Sequence, residues 1–215
     1  MIIETLIVGP LEVNCYIVGD AETREALVID PGGDARQILD TLRRAQLRVV
    51  AIVATHAHFD HLFALSELRQ ATRAPFVLHA DEAPMLANAT LGARLFGFVF
   101  GTPAPAERLV RDGDEIHVGS LAFRVLHTPG HSPGGMCLLR DRVVFVGDTL
   151  FQGGIGRTDL PGGDYGMLMR SIRDKLLTLP DDTVVYPGHG DATTIGEERQ
   201  FNPFLRPLRT GRWDV

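Results

Sequence analysis

Two cysteines in 215 residues are too few to staple a fold, and both Cys15 and Cys137 lie inside apolar, strand-like runs. Buried free thiols in a reducing compartment are the expectation, which places the protein in the cytoplasm. Positive charge is also scarce. The chain carries 21 Lys and Arg against 27 Asp and Glu, a net charge of −6. That leaves no basic footprint for a phosphate backbone, so no nucleic-acid partner is expected. Met1 to Val8 has no basic lead, and Glu4 interrupts its short apolar run, so it does not read as a signal peptide. No apolar stretch reaches bilayer length, which excludes a membrane partner from the expectations. Nor does any linker or shift in composition divide the chain. A single unit over 1–215 is expected, with no separate C-terminal helical domain, at a length that suits one large α/β domain. Oligomeric state is not legible.

The apolar pattern predicts strands over 2–8 and 13–19 around the turn pair Gly9-Pro10, and a third over 26–30 that stops at Pro31-Gly32-Gly33. Asp34 reads as the cap of a helix over 35–46. A strand over 49–54, a helix over 62–72 and a strand over 76–79 follow. Asp81 is expected to cap a short helix with Pro84 in its first turn. The segment 81–100 allows two readings: a helical insert packed on the core, or an apolar wall beside the functional site. Further on come a hairpin of 115–118 with 121–127, strands over 136–140 and 142–147 with Asp141 in their turn, and a helix over 164–178 capped by Asp164. A strand over 183–186 and a capping box at Thr194-x-x-Glu197 complete the chain. Two sheets covered by helices fit this order better than one doubly wound sheet.

What the chain has in abundance is histidine at strand ends. Thr55-His56-Ala57-His58-Phe59-Asp60-His61 follows the apolar run 49–54 directly. His131, Asp148 and His189 each follow a later apolar run, within or beside a Gly/Pro-marked turn. Strand ends of a layered α/β fold converge on one rim, where such folds place ligand sites. Imidazole and carboxylate suit zinc and its first-row neighbours. Seven such groups exceed one tetrahedral ion and fit two ions sharing a carboxylate. His56 and His58 alternate along extended chain, so they point the same way. Asp60 and His61 lie further round the turn. His79 and His117 read as structural or exposed. His127 reads as a group that could orient a ligand's ring. Asp30 either caps its turn or braces the metal loop.

These motifs resemble those of the metallo-β-lactamase superfamily along nearly the whole chain. T-H-A-H-F-D-H resembles its H-x-H-x-D-H motif, and T-P-G-H-S-P-G-G, V-F-V-G-D-T-L-F and V-Y-P-G-H-G resemble the later ones in order. The resemblance implies an α/β fold, a four-layer αβ/βα sandwich with a dinuclear site along one edge. It implies one ion on His56, His58 and His131 and a second on Asp60, His61 and His189, with Asp148 bridging. Asp60 would also serve catalysis by orienting the attacking hydroxide. Two divalent ions are implied, zinc first, with iron or manganese as alternatives. The complete set is similar to that of glyoxalase II, which implies hydrolysis of a small-molecule thioester such as S-lactoylglutathione. Arg157 falls where glyoxalase II has a glutathione-binding lysine; it could grip a carboxylate or simply brace its loop. Gly156-Arg157-Thr158-Asp159 is also similar to the persulfide dioxygenases, which carry one iron. Lactone hydrolysis and a non-catalytic metal-binding role are the remaining alternatives.

Overall fold

The structure, a computed structural model, describes residues 1–210; residues 211–215 of the expected single unit lie outside the described residues. The first sheet lays β1 (Ile2–Val8), β2 (Val13–Gly19), β3 (Glu25–Ile29), β4 (Arg48–Val53), β5 (Phe76–His79) and β6 (Arg108–Val110) side by side in chain order. β1 to β3 run antiparallel and β3 to β6 parallel. The second sheet contains β7 (Glu115–Val118), β8 (Leu121–His127), β9 (Met136–Arg140) and β10 (Val143–Gly147). A small separate pair, β11 (Leu150–Phe151) and β12 (Gly154–Ile155), precedes β13 (Val184–Pro187) and β14 (Thr193–Thr194). The order across the second sheet is β14-β13-β10-β9-β8-β7, with β10 and β13 parallel and the other pairs antiparallel.

Strand parity explains the layers. Side chains alternate between faces along a strand. On β2, Cys15 and Ile17 pack outward against Ile38 and Leu42 of helix α1 (Ala35–Arg44) and Leu65 and Leu68 of α2 (Leu65–Thr72). Tyr16 and Val18 face the second sheet and meet Phe123 and Phe145. Two short helices, α3 (Ala83–Leu86) and α4 (Ala89–Leu95), follow β5. On β10, Phe145 faces inward, while Val144 and Val146 pack against Leu168 and Met169 of α5 (Tyr165–Ser171) and Ile195 of α6 (Ile195–Phe201). A final helix, α7, spans Arg206–Thr210. Helix, sheet, sheet, helix is the expected four-layer order. Both sheets are buried on both faces, so their central strands are nearly continuous apolar runs. No helix among the described residues is long and apolar enough to cross a membrane.

Three local expectations need correction, and three short strands were not expected. Asp34 does not cap α1 through its side chain. It adopts φ 48°, and its carboxylate accepts from the Gly9 amide at 2.8 Å, tying the β1–β2 turn to the helix start. His79, not Asp81, caps the turn after β5: its Nδ1 accepts from the Asp81 amide at 3.3 Å. The helix over 164–178 is two pieces, with α5 widening into a π turn over Ile172–Leu176; Asp164 does cap it, accepting from the Met167 amide at 2.7 Å. β6 and the β11–β12 pair are strands of two or three residues, too short for a period to emerge in sequence.

Candidate metal centre

The end of β4 delivers His56, His58, Asp60 and His61; the loops after β8, β10 and β13 deliver His131, Asp148 and His189. Each half therefore comes from a different sheet. Backbone hydrogen bonds stitch the sheets together at this edge: Asn14 N–H to Gly188 C=O at 2.8 Å and Met136 N–H to Thr55 C=O at 3.0 Å. The Asn14 amide donates to Gly190 C=O at 2.7 Å, and Tyr16 Oη to Pro187 C=O at 2.6 Å. The loops can diverge only by breaking buried hydrogen bonds, which costs about 1–3 kcal/mol for each group left unpaired.

All seven predicted ligands converge. His56 Nε2 lies 3.0 Å from His58 Nδ1 and 3.2 Å from His131 Nε2, and His131 Nε2 lies 2.9 Å from His58 Nδ1. Two of these rings have their other nitrogen engaged. His56 Nδ1 sits 3.1 Å from Thr55 Oγ1, whose own proton goes to Asp30. His131 Nδ1 sits 2.8 Å from the Arg157 carbonyl and so carries the proton. Lone pairs are left facing one another. A tetrahedral ion with Zn–N bonds of about 2.0–2.1 Å holds its ligand atoms about 3.3 Å apart, close to these spacings.

The second group is Asp60, His61 and His189. Asp60 Oδ2 lies 3.6 Å from His61 Nε2 and 3.4 Å from His189 Nε2. Asp148 reaches both groups: Oδ1 is 3.5 Å from His61 Nε2, and Oδ2 is 3.6 Å from His131 Nε2 and 3.7 Å from His189 Nε2. His61 Nε2 and Asp148 Oδ1 are both buried without a hydrogen-bond partner among the described residues. Orphaned buried polar atoms aimed at a common point fit a cation. Gly188 is required here, because a Cβ at that position would overlap Asp148 Oδ1 and crowd His61 Cε1.

The two groups differ electrostatically. Burial, reinforced by neighbouring imidazoles, holds His56 well below the usual histidine range and brings His58 down to about 4. Those rings are neutral, as ligands must be. Burial also works against charge on His61, yet Asp60, Asp148 and Asp30 raise it well above the usual value. Burial opposes the charge on Asp148 too, but His61 beside it holds the carboxyl well below its usual range. Without an ion, a proton on His61 balances the carboxylates around it.

Two acidic residues behind the ligands set their positions. Asp30 braces the metal loop, the second of its two readings. It accepts from Thr55 N–H and Oγ1–H, each at 2.7 Å, and its Oδ2 lies 3.1 Å from His61 Nδ1, leaving Nε2 to face the centre. Glu82 was not legible as a site residue. It is fully buried, and its two oxygens accept from Ala57 N–H at 2.9 Å and Gly134 N–H at 2.6 Å. One side chain thus joins the loop of His56 and His58 to the loop of His131. Its Glu-Ala-Pro context carries no motif. His127 reaches the same loop, with Nε2 3.0 Å from the Pro133 carbonyl, so it braces the loop rather than a ligand's ring. His79 is buried and stacks on His127 at 4.0 Å, and His117 is exposed beside Glu115. Cys15 and Cys137 are buried, and burial raises both thiols, Cys137 to about 11.

A cavity of about 560 Å³ opens from the centre. Its polar end is formed by His58, Asp60, His131, Asp148 and His189. α3 and α4 form much of the remainder, so the segment 81–100 is a wall beside the site, the sharper of its two readings. Arg157 also lines the cavity. Its guanidinium is held by Asp159 through two bonds of 2.8 Å, while its carbonyl orients His131.

Comparison with known proteins agrees with this geometry. Hydroxyacylglutathione hydrolase GloC of Haemophilus influenzae is 38% identical over 212 residues, covering 95% of this chain and 98% of its own. The crystal structure of BLEG-1 B3 metallo-beta-lactamase superposes with a TM-score of 0.89 at 42% identity, over 95% of this chain and 100% of its own. TTHA1623 in a di-iron-bound form superposes with a TM-score of 0.87 at 40% identity, over 94% and 100%. The family model of the metallo-beta-lactamase superfamily matches residues 8–189, a span that opens at the end of β1 and closes on the last of the seven converging side chains. On that match, and on the four-layer fold that carries it, the chain belongs to the metallo-beta-lactamase superfamily.

Proposed function

We propose that the chain is a dinuclear metal-dependent hydrolase that cleaves a small-molecule thioester, S-lactoylglutathione or a related acyl-thiol. The observation that carries this reading is the convergence of seven imidazole and carboxylate groups at the head of a cavity. His56, His58 and His131 would hold one ion, Asp60, His61 and His189 the other, and Asp148 both. The pair would supply hydroxide at neutral pH and polarise a carbonyl oxygen. Asp60, which lines the cavity, would accept from and orient the attacking oxygen. The Arg157 carbonyl fixes the ring orientation of His131, and Asp30 lies beside Nδ1 of His61. A thiolate, with a pKa near 8.5, leaves without a protonating side chain, whereas an alkoxide or amide nitrogen does not. The nitrogen and oxygen donors suit zinc, with iron or manganese as alternatives. The name of GloC supports the thioester, and the di-iron form of TTHA1623 keeps iron open.

The test is hydrolysis of S-D-lactoylglutathione by purified, metal-loaded protein. Turnover well above a His58→Ala control is expected, and none at any metal loading would sink the lactoylglutathione reading. Oxygen uptake with glutathione persulfide, ring opening of a lactone, or loss of a β-lactam by the same preparation would identify the other chemistries.

A further inference from the structure

We infer that the cavity accepts an apolar acyl chain of several carbons, so that the substrate class is a thioester of a medium-length apolar acid rather than of a lactoyl-sized one. The inference rests on the thioester reading and narrows it. At about 30 Å³ per water-sized group, an octanoyl group of nine heavy atoms fills about 270 Å³. The cavity holds about 560 Å³.

Beyond the polar end the lining is mainly apolar. Met85 of α3, with Ala89, Leu91 and Leu95 of α4 and Phe96 just beyond it, forms one wall. Phe59 of the metal loop closes on Phe96 with ring centroids 5.7 Å apart. Small residues make the room: Gly92 lines the cavity, and a Cβ there would reach Phe59. Glutathione carries two carboxylates and an ammonium group, and this wall offers them no charged partner, Asn88 being its one polar side chain. Arg157, the cation at the cavity, is engaged by Asp159. The wall also continues outward. Leu91, Leu95 and Phe96 are 59%, 75% and 49% exposed, an apolar surface left in water at a cavity mouth. Apolar surface of this kind at a site with a few convergent polar groups marks a binding track for an apolar ligand. The carbonyl carbon must sit among the converging groups at the polar end, and an acyl chain attached to it has the apolar wall of α4 to run along.

The experiment compares N-acetylcysteamine thioesters of acetic, butanoic, hexanoic and octanoic acids with S-lactoylglutathione, using the metal-loaded protein. Each methylene that reaches the wall is expected to raise kcat/KM by up to about fourfold, so hexanoyl should exceed acetyl at least tenfold. Leu95→Asp should lower the hexanoyl-to-acetyl ratio about tenfold. A flat or falling series, or a rise only when the alkyl chain is moved to the thiol side, overturns the acyl assignment and leaves the thioester reading standing. A second arm needs no turnover. The uncleavable thioether S-octyl-N-acetylcysteamine, titrated by calorimetry, should bind wild type with a negative heat-capacity change and Leu95→Asp at least tenfold more weakly. Absence of binding overturns the apolar track even if thioesters are hydrolysed. Binding without hydrolysis of any thioester supports the track and removes the thioester reading.

Discussion

Glu82 accepts its hydrogen bonds from loop backbone rather than from the seven converging side chains, yet it sets the distance between two of the loops that carry them. Its carboxylate is buried, and burial raises its pKa even though the Ala57 and Gly134 amides that it accepts from lower it. Truncation to alanine would orphan two buried N–H groups at about 1–3 kcal/mol each. The loops of His56, His58 and His131 would then be free to separate. Glu82→Gln keeps the shape and one acceptor oxygen but turns an amide donor toward a backbone donor. It should therefore fold and bind metal on the order of tenfold more weakly. Competition with a chromogenic chelator reads this directly, and unchanged affinity in Glu82→Gln would rule out the positioning role. Nothing in the sequence points to this residue. The seven side chains were legible as candidates because they sit at the ends of apolar runs, within or beside turns. Glu82 lies 25 residues from Ala57 and 52 from Gly134, and only the folded loops bring the three together. Asp30 was half legible for the same reason: its strand end could be read, but its partners Thr55 and His61 could not.

Among the elements, α5 does for the His131 loop what β4 does for the first histidines. The Asp164 amide donates to Gly130 C=O at 2.7 Å, and Ser171 Oγ donates to Pro129 C=O at 2.7 Å. Gly130 takes φ 132° and lies against the Leu168 backbone, with no space for a Cβ. Two substitutions at this junction should behave differently. Asp164→Ala removes a cap worth about 1 kcal/mol. In a domain of this size that lowers Tm by about 2–4 °C, and metal content should hold because the Asp164 backbone donor remains. Gly130→Ala forces a side chain into α5 and should cost the first ion as well as stability. Metal analysis after dialysis separates them, and equal loss of metal in both would show that the cap, not the glycine, positions His131. The helix itself could be read from its apolar face and its Asp164 cap. α3 and α4 could not be oriented, because elements of four and seven residues broken by glycine show no clear period. Asp34 misled for a related reason. A residue just before a helix looks like a cap whether its carboxylate turns to the helix or, as here, to Gly9.

For the molecule as a whole, the centre is where the two sheets meet, four of its side chains arriving from one and three from the other. The apolar contacts between the sheets, such as Tyr16 on Phe145 and on Tyr186, hold the layers together without any ion. Chelation should therefore leave a folded protein. An ion that binds only the folded state adds about 4 kcal/mol when present at 1,000 times its dissociation constant. For a chain of this length that corresponds to a Tm higher by about 8–16 °C. The two ions should not be equal. Burial keeps His56 and His58 neutral, and His131 faces them through Nε2 with its Nδ1 on the Arg157 carbonyl, so the first site needs no proton displaced from the facing nitrogens of His56 and His58. The second must displace the proton that the three carboxylates hold on His61. Thermal scans of protein stripped of metal and then titrated with zinc should rise in two steps, the first filling the three-histidine site. His58→Ala should abolish the earlier step, and His61→Ala the later one. A single step that survives both substitutions would mean that the seven side chains do not divide into two sites.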